Sequence, residues 1–263
     1  MNFKTFMAFS AALACTSLWA VVTTGNTLCR IAVESETKDT IISLPLVDVG
    51  GLGDSISITN MVLTENLRDG DTLMAKIDEK WQTWMLQNGI WGGATTVSGD
   101  ETISSSPDAA FERGTAIILR RTGSLTKPIY LYGEFKNEAK VQTPIAKGWT
   151  LMGNALPSDF EINKDGFWTA DGSPSKGDKL IVPVVKGLGV KEYTWGTLVE
   201  GENTKTGWIV AEFYMENGVL VSEKVLTQDS IPAGQGFWYQ SVGESVPTVD
   251  WNKLNIEGNT NDE

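Results

Sequence analysis

The stretch Asp229 to Gln240, D-S-I-P-A-G-Q-G-F-W-Y-Q, decides the fold. Pro232 presets φ, Gly234 and Gly236 permit turn conformations closed to other residues, and Phe237, Trp238 and Tyr239 are strong strand formers. The expected structure is a tight turn feeding a buried strand, with the aromatic run packed rather than displayed. A weaker copy stands upstream at Ala110 to Arg120, A-F-E-R-G-T-A-I-I-L-R. Two copies predict two similar units.

Further words recur in the same order. Gly70-Asp71-Thr72-Leu73 matches Gly177-Asp178-Lys179-Leu180, Thr83-Trp84 matches Thr194-Trp195, and Trp91 matches Trp208. Arg113-Gly114-Thr115-Ala116 matches Ala233-Gly234-Gln235-Gly236. The gaps between these anchors grow in the second copy, as loops on a shared scaffold do. Period-two alternation marks Thr27 to Ile42, Thr72 to Ile77 and Lys80 to Leu86 as strands, and Asn88-Gly89 as a hairpin turn. Gly92 to Pro107 reads as a loop, and Ser106 to Glu112 as a single helical turn. No stretch offers a long, capped amphipathic helix.

The expected fold class is all-β, with two tandem related β-sandwich-like units after an N-terminal signal peptide. The boundaries are 1–20 for the signal, 27–135 for the first unit, 136–147 for a charged, Pro-containing linker and 148–250 for the second unit. Residues 251–263 form a polar, acidic tail expected to be disordered.

Composition narrows the function. Acidic residues outnumber basic ones 33 to 21, a net charge of −12 with no basic patch, which argues against nucleic acid or an anionic membrane as partner. Histidine is absent, removing the commonest general base, metal ligand and pH switch. Lys4, the apolar run Phe6 to Ala14 and small residues up to Ala20 read as an export signal, too short to span a bilayer. The mature chain is therefore expected to carry no transmembrane span and to be secreted or held in the cell envelope. Ala12-Leu13-Ala14-Cys15 is a poor lipoprotein box, so acylation at Cys15 is the less favoured route. Cys29 is then the sole mature cysteine, expected as a buried inert thiol.

Asn26-Thr27-Leu28, the Ile41 to Val47 segment, Gly70-Asp71-Thr72-Leu73 and Arg113-Gly114-Thr115-Ala116 together resemble a family of uncharacterised exported bacterial proteins. That family has many paralogues in the planctomycete and verrucomicrobial group. The resemblance continues through Tyr130-Leu131-Tyr132-Gly133, Gly148-Trp149-Thr150-Leu151 and Ile231 to Tyr239, covering most of the mature chain. The G-W-T-L-M-G-N and I-P-A-G-Q-G-F words are also similar to β-sandwich modules of secreted, surface-attached bacterial proteins. The resemblance implies export and β architecture, and no reaction.

Candidate chemistry is thin. Glu161-x-Asn163-x-Asp165-Gly166 starts like a calcium loop, but Gly172 stands where a bidentate Glu belongs, so no metal is expected. Ser173-Pro174-Ser175-Lys176 and Lys205-Thr206-Gly207 have the spacing of penicillin-recognising motifs but sit in loop text without the middle motif. No catalytic residue and no cofactor is assigned. The ten tryptophans include Trp84, Trp91, Trp168 and Trp195 near turns or strand ends, where indoles could form a sugar-stacking platform; core packing is the competing reading. Trp81 and Trp84, three apart on a strand, must face opposite sides. The leading expectation is a non-catalytic surface-interaction or structural protein whose partner is another envelope or extracellular protein or a polysaccharide. Its most divergent surfaces are Gly92 to Pro107 and Gly187 to Gly207. The alternatives are a carbohydrate-binding module using exposed Trp, and a hydrolase working through paired carboxylates.

Overall fold

The computed structural model describes residues 21–23, 26–34, 38–50, 53–58, 62–63, 66–77, 80–98, 101–123, 127–136, 141–163, 174–184, 189–217, 219–243 and 248–251. The expected signal, most of the expected tail, and Trp168 lie outside them. The first part of the chain forms β1 (Val21–Thr23), β2 (Asn26–Val33), β3 (Asp39–Ser43), β4 (Ser55–Ser57), β5 (Val62–Leu63), β6 (Thr72–Ile77) and β7 (Lys80–Gln87). It continues with β8 (Ile90–Gly93), β9 (Thr95–Ser98), β10 (Glu101–Ser104), β11 (Ala110–Glu112), β12 (Ala116–Arg120) and β13 (Ile129–Lys136). The remainder forms β14 (Gln142–Pro144), β15 (Gly148–Gly153), β16 (Phe160–Glu161), β17 (Lys179–Pro183) and β18 (Val190–Glu200). It ends with β19 (Asn203–Glu216), β20 (Val219–Leu226), β21 (Ser230–Ile231), β22 (Gly236–Ser241) and β23 (Thr248–Asp250). The fold is all-β and sandwich-like, as the alternation predicts, and every ladder pairs antiparallel strands.

One topology is used twice. The order β3-β12-β6-β7-β8 recurs as β15-β22-β17-β18-β19, the pair β11-β4 recurs as β21-β16, and β13-β2 recurs as β23-β14. Single hydrogen bonds repeat with it. Thr115 N–H donates to Glu112 O as Gln235 N–H does to Pro232 O, and Ile58 N–H donates to Ala109 O as Ile162 N–H does to Asp229 O.

The glycine–aspartate words do the same work in both places. Gly70 and Gly177 adopt φ of 92° and 94°, and the buried carboxylates after them each tie two backbone segments together. Asp71 accepts the N–H groups of Arg68 and Thr122 and the Thr122 hydroxyl. Asp178 accepts the N–H groups of Ser175 and Val242 and the Tyr239 hydroxyl. A buried carboxylate persists when such donors compensate its lost hydration.

The ladders correct one expected match. Thr72 pairs with Met85 as Lys179 pairs with Thr194, so Thr83-Trp84 corresponds to Glu192-Tyr193 and Trp195 to Leu86. Trp91 does correspond to Trp208, through the pairs Leu86–Trp91 and Trp195–Trp208. Gly92 to Pro107 contains the hairpin β9–β10 rather than a plain loop, and Ala110–Glu112 within the expected helical turn is a strand paired to β4.

Each unit has its own core. Ile31, Ile42, Leu73, Trp84, Trp91 and Leu131 anchor the first, and Met152, Phe160, Leu180, Trp208, Phe237 and Tyr239 the second. The two are joined by their glycine turns. Ala233 belongs to the first unit's core, and a Cβ on Gly234 would lie 2.7 Å from Val33 Cγ2. Reciprocally, a Cβ on Gly114 would lie 3.1 Å from Ala155 Cβ and 3.3 Å from Val141 Cγ1. Ser43 N–H donates to Gly234 O across this joint, and the Ser43 hydroxyl donates to Asn154 O. Among the described residues no helix is long and apolar enough to cross a membrane.

Candidate functional site

Core packing claims two of the four sequence-selected tryptophans. Trp84 is 0 % and Trp91 2 % exposed. Trp84 meets Phe111 edge-on at 5.4 Å and donates its indole N–H to Ser106 O. Burying an indole of 150–250 Å² contributes roughly 4–6 kcal/mol as an upper bound. Neither ring presents a face to a sugar. Trp195 is half-buried and packs edge-on against Trp208 at 5.3 Å, so its platform face is also largely used. Trp84, Trp91 and Trp195 therefore form no open platform, and Trp168 lies outside the described residues. Of the pair Trp81 and Trp84, the ladder leaves Trp81 exposed.

The other chemical candidates are engaged as well. The Asn163 amide donates to Trp208 O and Thr227 O and accepts the Trp208 N–H, completing the sheet where β20 ends, so it is not presented to a cation. Lys205-Thr206-Gly207 lies inside β19, not in a loop, and Ser175 N–H is spent on Asp178. Asp229 accepts Lys191 Nζ at 3.0 Å and the Tyr193 hydroxyl at 2.8 Å. Burial alone would raise the Asp229 pKa, but these bonds together hold it below the usual carboxylate range, while burial and the carboxylate push Tyr193 up. Burial also pushes the Cys29 thiol up to about 11, so at neutral pH it is an unreactive thiol. Among the described residues no three metal-ligating side chains cluster.

What the second unit does present is surface. Its six-stranded sheet, β15-β22-β17-β18-β19-β20, buries one face through Met152, Phe237, Tyr239, Leu180, Tyr193 and Trp208. The opposite face carries Trp149, Leu151, Trp238, Ile181, Ile209 and Leu226, placed there by the rungs Trp149–Gln240–Lys179–Thr194–Ile209–Leu226 and Leu151–Trp238–Ile181. Trp149 is 51 % exposed and stands edge-on to Trp238 at 6.4 Å.

At one end this sheet runs out into a two-stranded ribbon. Residues 211–217 and the facing 219–220 and 222–224 are exposed, so the ribbon has solvent on both faces. One face sets Phe213 and Met215 beside Leu220, at 67, 64 and 65 % exposure. The other is acidic: Glu212 lies directly opposite Glu223 around Tyr214 and Val221, with Glu216 beyond. The ribbon had sequence signals. Asn217-Gly218 is a hairpin pair, Asn217 takes φ 50°, and both flanks alternate.

Where the ribbon leaves the sheet, the ladder forks. β18 pairs with β17 over Val190–Thr194 and with β19 only from Thr194–Ile209 onward. A wedge-shaped groove of about 890 Å³ opens between Val190–Glu192 and Val210–Phe213, floored by Val225–Asp229. No family model, no curated protein and no solved structure matches the chain.

Proposed function

We propose that this protein is an exported, non-catalytic module that binds another envelope or extracellular macromolecule through the outer sheet face and ribbon of its second unit. The carrying observation is the ribbon. Three large apolar side chains, Phe213, Met215 and Leu220, stand in solvent on the ribbon, the part of β19 and β20 that covers no core. Contiguous exposed apolar area on a rigid sheet extension marks an interaction surface. The lysine-plus-apolar N-terminus supports export, and the net charge of −12 disfavours nucleic acid.

The test is retention from envelope and culture-medium fractions by the full chain, compared with a Phe213→Ser, Leu220→Ser double variant. A partner held by the wild type and lost from the variant is the expected outcome. Equal retention by both, or retention of nothing, removes the ribbon from the function. A carbohydrate-binding reading is favoured by one feature, Trp149 and Trp238 on an open sheet face next to Gln240 and Lys179. It requires quenching of tryptophan fluorescence by some member of a polysaccharide panel, abolished in Trp149→Ala.

A further inference from the structure

The fork between β18 and β19 is an unfinished ladder, and the first unit shows what finishes it. Trp195 N–H and C=O bond toward β17, through Asp178 O and Gly177 N–H, so even-numbered residues of β18 turn their backbone groups toward β19. Thr227 N–H donates to Trp208 O, so even-numbered residues of β19 bond to β20 and odd-numbered ones face β18. The rung after Thr194–Ile209 should therefore join Glu192 to Ala211, and the next Val190 to Phe213. Neither is made. The groove thus has two facing strand edges, with the backbone groups of Val190 and Glu192 on one side and of Ala211 and Phe213 on the other.

In the first unit the corresponding rung is closed. Ala94 N–H donates to Thr83 O, Thr83 N–H donates to the Ser105 hydroxyl, and Ser105 N–H donates to Ala94 O. One bond of the rung is made directly, and Ser105, on the return from β10, bridges the other. It packs so closely that a Cβ on Gly93 would collide with Ser105 O. In the second unit Val210 stands where Gly93 does, and β20 continues the sheet instead of returning to the fork. Val210 is only partly buried and lines the groove beside Ala211 and Phe213, where the first unit has the Ser105 bridge.

We infer that the fork accepts an extended, cationic polypeptide segment by strand addition, pairing with Val190 and Glu192 on one side and with Ala211 and Phe213 on the other. Backbone edges are satisfied by another backbone, which makes an extended peptide the fitting class of ligand. Charge sets its character. Glu212 and Glu223 are like charges directly opposed with no cation beside them among the described residues, an arrangement that destabilises an isolated ribbon. Lys191 does not neutralise them, because Asp229 holds it. Basic side chains on the inserted strand would. Among the residues whose backbone groups face outward, the outer edge of the sheet has Lys224 on β20, a charge of the kind that protects exposed edges, whereas the fork's β19 edge has the uncharged Ala211 and Phe213. This inference rests on the surface-interaction reading and specifies one site within it.

The experiment is amide hydrogen exchange on the full chain with a pool of capped octapeptides alternating Val or Ile with Lys. A second pool, N-methylated at alternate amides, lacks one row of donors. The expected result is slowed exchange at Ala211, Phe213, Val190 and Glu192 with the first pool and not the second, while Glu212 and Tyr214, already bonded to β20, stay unchanged. Ala211→Pro removes one fork N–H and should abolish the protection. Glu212→Lys with Glu223→Lys leaves the backbone intact and should weaken binding about tenfold or more. Absence of protection at the four fork amides at saturating peptide, or protection confined to the outer edge of β20, overturns the inference. If the Phe213→Ser, Leu220→Ser variant loses its partner while the fork stays unprotected, the proposed function stands and strand addition falls.

Discussion

The two units share a scaffold and differ in what they do with its fourth and fifth strands. In the first, β8 stops at Gly93, and the chain returns through β9 and β10 so that Ser105 seals the edge. In the second, the equivalent β19 runs for 14 residues, gains β20 beside it, and leaves the sheet open. The cores beneath are alike: Trp91 and Trp208 occupy the same rung and both are buried. One frame is thus sealed at an edge in one copy and extended there in the other. The first unit closes its edge and the second extends it into an exposed ribbon, the usual relation between a shared scaffold and variable appendages.

The largest effect expected from breaking this comparison is at the joint. At Gly234, φ is 73° and a Cβ would lie 2.7 Å from Val33 Cγ2, so Gly234→Ala combines left-handed strain of about 1–2 kcal/mol with overpacking of about 1–3 kcal/mol. Gly114→Ala meets its neighbours at 3.1 and 3.3 Å and should cost less. Gly189→Ala, at φ 123° with nothing within 4 Å, isolates the backbone strain. Urea unfolding should rank them in that order. Because each turn sits in the other unit's core, the wild type should unfold in one transition; two separate transitions would show that the joint does not couple the halves.

Next in size is the pair of buried aspartates. Asp71→Ala and Asp178→Ala each strip the partner from two backbone N–H groups and one hydroxyl, a loss of about 2–4 kcal/mol. If the units are built alike, the two losses agree within about 1 kcal/mol. A much cheaper Asp71 would mean that the shared word has lost its role in the first unit.

These anchors were legible in the sequence as repeated words, and part of their physics is local, although the bonds from Thr122, Tyr239 and Val242 come from far along the chain. The words Gly70-Asp71 and Gly177-Asp178 match as a repeat, and each places a glycine at positive φ before an acid that bonds three residues back. The turn Asn88-Gly89, at φ of 52° and 73°, is local as well. What was not legible depends on partners distant in the chain. Trp81 and Trp84 had to face apart, but only the pairing with β6 decides that Trp84 takes the core beside Leu73. Thr83-Trp84 resembled Thr194-Trp195 as text while the ladder displaces them by two residues. Gly187 to Gly207 read as one of the most divergent surfaces, yet β18 and β19 run through it as a paired ladder, in keeping with the Val, Tyr, Trp and Thr of β18. The fork is a rung left unmade, and no local pattern announces that.

The smallest effect is acid sensitivity, and it should be stronger in the second unit. Asp229 corresponds to Ala109, so its contacts with Lys191 and Tyr193 have no first-unit counterpart. Its pKa in the folded chain lies below the unfolded value, despite burial acting in the other direction. Such a group contributes stability above the unfolded carboxylate range, near pH 4, and loses it as pH falls through the lower folded value. The first unit has an acid-sensitive pair of its own, Asp39 with Arg120 at 2.7 Å, where the hydrogen bond from Arg120 lowers the carboxyl; solvent around both side chains reduces its worth. Urea midpoints taken from pH 6 down to pH 3 should therefore converge between wild type and Asp229→Asn as the acid range is entered, and converge less between wild type and Asp39→Asn. An Asp229→Asn chain that keeps the full wild-type loss of stability on acidification would place the titrating contact elsewhere than at Lys191 and Tyr193.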